Sequence, residues 1–172
     1  MPGSKELYRG RIVHLWLDDV TLPTGARVSL EIVRHPGAAA VVALDDRDEV
    51  SLIHQFRHAA GGFIWEIPAG VLHHGERPVD CAARELREET GLVAGELQSL
   101  GSILTTPGFC DERIHLFLAR HCSVSEQQLE ADEILTVSRF PFSTALDMVR
   151  HGEIQDAKSI AGLHHAAAYL SR

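Results

Sequence analysis

The chain is poor in the residues that would tie it to a secreted, membrane-bound or nucleic-acid-binding role. Its cysteines are few, Cys81, Cys110 and Cys122. Their number is odd and no Cys-x-x-Cys spacing occurs, so neither a disulfide framework nor a zinc site is indicated. Inert thiols of a reducing cytosol are expected, and with them a cytoplasmic protein. The apolar run Ala38 to Leu44 is far shorter than the ~20 residues of a bilayer span, and no signal-peptide core is visible at the N-terminus, so no membrane partner is expected. Basic residues are also scarce, with 16 Lys and Arg against 24 Asp and Glu and a net charge of −8. No basic stripe could neutralise phosphates, which argues against a nucleic-acid polymer as partner. Repeats, low-complexity tracts and long linkers are absent too. With 172 residues, 45% of them hydrophobic, the chain can still bury one good core.

Against this background one segment stands out. Gly70-Val71-Leu72-His73-His74-Gly75-Glu76 is followed, after seven residues, by Arg84-Glu85-Leu86-Arg87-Glu88-Glu89-Thr90-Gly91-Leu92. Pro78 suits the first turn of a helix and Gly91 its C-terminal cap, so a helix of about three turns is predicted between them. At about 100° per residue, Val79, Ala82, Ala83 and Leu86 share one apolar arc. Glu85 and Glu89 then lie one turn apart at its edge with Glu88 beside them. Carboxylates crowded in this way repel unless a positive charge sits between them, and hard divalent cations prefer such oxygen donors. The plainer alternative is a solvated face in which Arg84 and Glu88 form an i,i+4 pair worth a few tenths of a kcal/mol. A salt-bridged helix, however, requires neither the glycine turn at Gly70 nor the distant Glu76.

The flanking pattern is mixed. Arg11–Leu17 and Arg27–Val33 read as a strand pair around Pro23-Thr24-Gly25. Ala38–Leu44 and Val50–Phe56 read as a second pair across Asp45-Asp46-Arg47-Asp48, and Phe63–Ile67 as a strand leading into Pro68-Ala69-Gly70. Beyond the helix, strands are expected near Gln98–Thr105, Ile114–Ala119 and Ile134–Phe140. A helix capped by Ser143 and ended by Gly152 follows, then one near Asp156–Leu170. Strands flanking a few helices indicate a mixed α/β sandwich.

The segment from Gly70 to Leu92 fits the Nudix box, G-x5-E-x7-R-E-U-x-E-E-x-G-U with U aliphatic, at all nine restricted places over its 23 positions. The chain therefore resembles a Nudix hydrolase. The likeness narrows to the ADP-ribose pyrophosphatase branch through Arg34-His35-Pro36-Gly37-Ala38, Gln55-Phe56-Arg57, Trp65-Glu66-Ile67-Pro68-Ala69-Gly70, Pro107-Gly108-Phe109 and Gly152-Glu153-Ile154-Gln155-Asp156-Ala157-Lys158. Pro107 lies 16 residues beyond Gly91, the spacing of that branch. The SQPWPFPxS array of NADH pyrophosphatases is absent. The resemblance implies an α/β/α sandwich with a mixed sheet over residues 36–172, the catalytic domain, and a small N-terminal antiparallel sheet over 1–35 that joins a homodimer.

It also implies roles. The Ala69 carbonyl, Glu85 and Glu89 would bind Mg²⁺ or Mn²⁺, with Glu88 completing or supporting the set, while Glu76 would either orient the helix or reach metal through water. Arg57 would grip the diphosphate of a small nucleoside diphosphate substrate with its planar fork; otherwise it is a surface charge. Glu133 is the first choice for general base, on the acidic run Glu130-Ala131-Asp132-Glu133, Glu130 the second, and Glu88 the fallback within the box. Glu31 and Arg34 would recognise base or phosphate across the dimer, or else be charged strand ends, and Pro107 marks a substrate loop. Trp16 and Trp65 would stack on adenine or fill a core or dimer seam. The histidines, including His73-His74 and His164-His165, fit no metal-ligand spacing. ADP-ribose would yield AMP and ribose 5-phosphate. A GDP-mannose-type substrate and a non-catalytic ADP-ribose sensor are the alternatives, the latter opposed by the intact glutamates and the lack of a helix-turn-helix appendage.

Overall fold

The computed structural model describes residues 3–129 and 133–172. An N-terminal antiparallel sheet is formed by β1 (Ser4–Arg9), β2 (His14–Thr21) and β3 (Arg27–Arg34) in that order. β2 and β3 are the expected pair, whereas β1 is an addition. Its sequence, Ser-Lys-Glu-Leu-Tyr-Arg, is mostly polar and mostly exposed, so no apolar alternation announces it.

The body is built on β4 (Ala38–Leu44) and β5 (Glu49–Arg57), followed by a single 3-10 turn and then β6 (Gly62–Glu66) and β7 (Ala69–Val71). Next come α1 (Pro78–Thr90), β8 (Leu92–Val93), β9 (Glu96–Leu104), β10 (Arg113–Arg120), β11 (Ser123–Val124), β12 (Leu135–Pro141), α2 (Phe142–Arg150) and α3 (Ala157–Leu170). The main sheet runs β12-β5-β4-β10-β9, with β6 added to β5 and β7 to β4; β8 and β11 form a small separate ladder. β4 and β10 are parallel, with Ala38 opposite Ile114, and the other pairs in this sheet are antiparallel.

β4 explains why the body is a three-layer sandwich. All seven of its residues are buried, as expected of a central strand covered on both faces. Ala38, Ala40, Val42 and Leu44 join Ile67, Leu116, Ala145 and Leu163 in the core under α2 and α3. Ala39, Val41 and Ala43 point the other way and join Cys81, Ala82 and Leu86 under α1. The expected β4–β5 pair forms only beside its turn, at Ala43–Ser51 and Leu44–Val50. Further along, β4 pairs with β7 while β5 pairs with β6, so the two strands part and a cleft opens between them.

Two helix details depart from expectation. α2 begins at Phe142 with Pro141 at its N-cap and no side-chain cap, so Ser143 is not the cap. β12 runs straight into α2, and Phe142 N–H donates to the Asp48 carbonyl at 2.9 Å instead. On α1 the buried face consists of Cys81, Ala82, Glu85, Leu86 and Glu89, while Ala83 is exposed. The helix is thus rotated so that two carboxylates, and not Ala83, face the sheet. Asp156 does cap α3, accepting from Ser159 N–H at 2.9 Å.

The N-terminal sheet stands apart. None of its strands packs extensively on an element of the body. Its backbone ties run through Val33, whose N–H donates to the Phe109 carbonyl at 2.7 Å and whose carbonyl accepts from Asp111 N–H at 3.1 Å, and the Arg34 side chain adds an ion pair with Asp111 at 3.1 Å. Among the described residues no helix is long and apolar enough to cross a membrane.

Candidate active site

A cleft of about 390 Å³ lies where β5, β7 and α1 meet. Arg57, Ala69 and Gly70 line it from the sheet side, Glu85, Glu88 and Glu89 from α1, and Glu133 from the segment before β12. The helix reaches the sheet unusually closely. Glu89 is 1% exposed and accepts the Ala69 N–H at 2.8 Å. A Cβ on Gly70 would lie 1.9 Å from Glu85 Oε1, so only glycine leaves room for that carboxylate. Gly91 ends the helix in the left-handed region at φ 68°, and a Cβ there would meet the Ser125 carbonyl at 2.9 Å. Both glycines of the motif are therefore explained by geometry.

Arg84 organises the acidic side of the cleft. It donates to Glu76 at 2.9 and 3.0 Å, to Glu85 at 2.5 Å, to Glu88 at 3.1 Å and to the Val71 carbonyl at 3.2 Å. Its guanidinium holds Glu76 down to a pKa of about 2, with help from the His73 N–H at 2.9 Å. Glu76 thus ties the loop after Gly70 to the helix through Arg84. The i,i+4 pair of Arg84 and Glu88 exists, but as one arm of this hub.

The other two carboxylates are driven the opposite way. Burial pushes Glu89 up to about 8, opposed by the Ala69 N–H and reinforced by the charges of Glu85 and Glu133. Burial also raises Glu85, against the pull of Arg84 and with the repulsion of Glu88 and Glu133. Glu133 is therefore close enough to act on both. Among the described residues, no three His, Cys, Asp or Glu side chains are already drawn together as a metal cage. Glu85 and Glu88 lean on Arg84, and Glu89 leans on the backbone of Ala69. The donor set nevertheless fits a hard divalent cation, being oxygen-only and burdened with buried, mutually repelling carboxylates that such a charge would relieve.

Residues 33–162 match the family model described as NUDIX domain. The chain belongs to the Nudix family. It is 40% identical over 165 residues to an ADP-ribose pyrophosphatase of Bacillus subtilis (strain 168), covering 95% of this chain and 89% of that one. An ADP-ribose pyrophosphatase of Mycobacterium tuberculosis (strain ATCC 25618 / H37Rv) is 40% identical over 164 residues, 94% of this chain and 79% of that one. A crystal structure described as an ADP compounds hydrolase superposes with a TM-score of 0.85 over 99% of this chain and 92% of its own at 20% identity, and so shares the fold. Members of this family generally use divalent metal cations.

Other Nudix-site expectations fall in different places. Arg57 lines the cleft but is not a loose surface charge. It donates through Nε and Nη2 to the two oxygens of Glu66, at 3.2 and 2.8 Å, and their mutual attraction outweighs the burial that opposes its charge. Arg34 is held between Asp18 at 2.5 Å and Asp111 at 3.1 Å, Glu31 is exposed on β3, and Pro107 is exposed in a turn closed by Thr106; none lines the cleft of its own chain. Glu130 lies outside the described residues. Trp65 stacks on His54 at 4.4 Å and meets Phe140 edge-on at 5.1 Å, against the core, which is the packing use of its ring. Trp16 is half-buried on β2. The three cysteines are unpaired, and burial pushes Cys81 up to about 12, so it is an inert thiol. Sequence reasoning missed Arg11 and Ile12, at the tip between β1 and β2, which reach the cleft of their own chain. It also left Glu66 and Lys158 without roles, although both lie in segments that carried the family likeness.

Proposed function

We propose that this Nudix protein hydrolyses the diphosphate of ADP-ribose, or of a closely related ADP-sugar, with Mg²⁺ or Mn²⁺. The observation that carries this reading is the cleft itself, in which Arg57 faces the buried pair Glu85 and Glu89 and Glu133 stands close to both. The relatives named as ADP-ribose pyrophosphatases support the substrate. Glu85, Glu89 and the Ala69 carbonyl would hold the cation, with Glu88 beside them. When bound, it supplies charge stabilisation for the phosphoryl oxygens and lowers the pKa of the attacking water. Arg57 orients the diphosphate by its guanidinium fork. Glu133 takes a proton from water as the water oxygen bonds to phosphorus and the bridging P–O bond breaks, giving AMP and ribose 5-phosphate. Incubating the protein with ADP-ribose, GDP-mannose, UDP-glucose, NADH and diadenosine polyphosphates, with Mg²⁺ and then Mn²⁺, tests the reading. Turnover is expected to be best with ADP-ribose. No turnover with any of them overturns hydrolysis in favour of a sensor.

The working form, on this reading, is a cytoplasmic homodimer that binds no nucleic-acid polymer. Residues 1–35 would be the dimerising unit and 36–172 the catalytic domain, and Glu31, Arg34 and Pro107 would meet substrate across the subunit boundary. The free thiols and the charge of −8 support the compartment and the small-molecule partner. Support for the dimer comes from the N-terminal sheet and the hairpin between its first two strands, where Tyr8, Ile12, Val13 and Leu30 are exposed. The sheet packs little on the body, and exposed apolar side chains on it are the kind of surface that a partner covers. Light scattering at micromolar concentration should give twice the chain mass; a fully active monomer removes the dimer and the cross-subunit roles together.

A further inference from the structure

The corner from Glu66 to Gly70 is held from two sides. α1 holds it through Glu89 on the Ala69 N–H and Glu85 against Gly70. From the opposite face α3 holds it with a second polar set. Buried Ser159 Oγ accepts the Ile67 N–H at 2.8 Å and donates to Asp156 Oδ2 at 2.5 Å. Lys158 Nζ lies 3.0 Å from Asp156 Oδ2 and 3.2 Å from Glu66 Oε2. A Cβ on Gly162 would meet Ile67 Cδ1 at 2.7 Å, so the helix is pressed onto the corner.

Lys158, with its side chain 12% exposed, is a costly residue at such a place, because burying an ammonium forfeits hydration that a methionine would not need. Its position relative to Glu66 supplies a reason. Glu66 is 3% exposed and faces two cations, Arg57 at 2.8 Å and Lys158 at 3.2 Å. With Arg57 as its only cationic partner, the pair would be neutral and the attraction of Arg57 for an anion would be largely cancelled. Lys158 takes a share of the Glu66 charge. Asp156 beside it is in turn set against the N-terminus of α3, which favours a negative group.

We infer that Lys158 is a positioning residue which, by sharing Glu66, leaves Arg57 with positive charge to offer an anionic diphosphate in the cleft, an inference that rests on the role proposed above for Arg57. Steady-state KM and kcat for ADP-ribose, with Tm, should be compared in Lys158→Met, Lys158→Arg and the double variant Lys158→Met with Glu66→Gln. Lys158→Met should raise KM by about tenfold with kcat within about threefold, the scale of one charge interaction in a half-buried site. Lys158→Arg should return KM to within about twofold of the parent. The double variant should do the same, because a neutral glutamine no longer draws on Arg57. A parental KM in Lys158→Met overturns the inference. So does a double variant that recovers Tm while KM stays high, which marks a purely structural role. If Lys158→Met does not fold, Lys158→Gln takes its place in the same comparison. Arg57→Ala separates the two readings. An unchanged KM there defeats the diphosphate role of Arg57, whereas a raised KM there beside a parental KM in Lys158→Met defeats only the charge-sharing role of Lys158.

Discussion

Glu89→Gln and Glu85→Gln should each lower kcat by roughly two orders of magnitude or more, while the protein stays folded. The two carboxylates are 1% and 8% exposed and sit on one face of α1 against the sheet. Glutamine has nearly the same shape and keeps an acceptor for the Ala69 N–H, so packing is conserved. What is lost is negative charge, and that charge is disfavoured by burial in the metal-free fold. Tm measured with a chelator should therefore be unchanged or raised in Glu89→Gln. The stabilisation that Mg²⁺ gives the parent should fall away in the same variant, because a ligand stabilises only the state that binds it. Near-parental turnover at saturating Mg²⁺ would remove both residues from the metal site.

A comparable loss of rate with a different signature is expected at Glu133. Its charge reaches Glu85 and Glu89, yet it comes from the segment before β12 and not from the helix. Glu133→Gln should lower kcat by roughly a hundred- to ten-thousand-fold, the range of a general base, with little change in substrate Kd or metal titration. Glu130→Gln, measured alongside, decides between the neighbours. If only the latter variant loses activity, the base moves three residues upstream. If both retain it, the base lies within the box, with Glu88 next in line.

The features legible in the sequence are those announced by local signals. Pro78 and Gly91 bound α1 to within a residue, because a proline at the first turn and a glycine at the left-handed cap act on their own backbone. The continuous apolar run of β4 identified a buried strand, and its bounds were correct. Of its neighbours only β5 was legible, and it pairs with β4 only beside the turn. The parallel pairing of Ala38 with Ile114 joins residues 76 apart and leaves no mark in either segment. The mostly polar sequence of β1 carried no apolar alternation to announce it, and Ser143 looked like a cap only because the direct junction of β12 with α2 could not be foreseen. At the site, the glutamates were readable because their spacing is a helical spacing. The Arg57–Glu66–Lys158 group was not, since it draws on β5, β6 and α3 and each member taken alone is an ordinary charge.

The order in which these pieces are made has a kinetic consequence. α1 leaves the ribosome well before β10, which pairs with its sheet neighbour β4, and longer still before α3, which fastens Ile67 through Ser159. Contacts between segments this far apart in sequence must first close a long loop, which slows their formation. The corner of residues 66–70 is made before α1, so its hold from that side can form early, whereas its hold from the opposite face is complete only once α3 has been made.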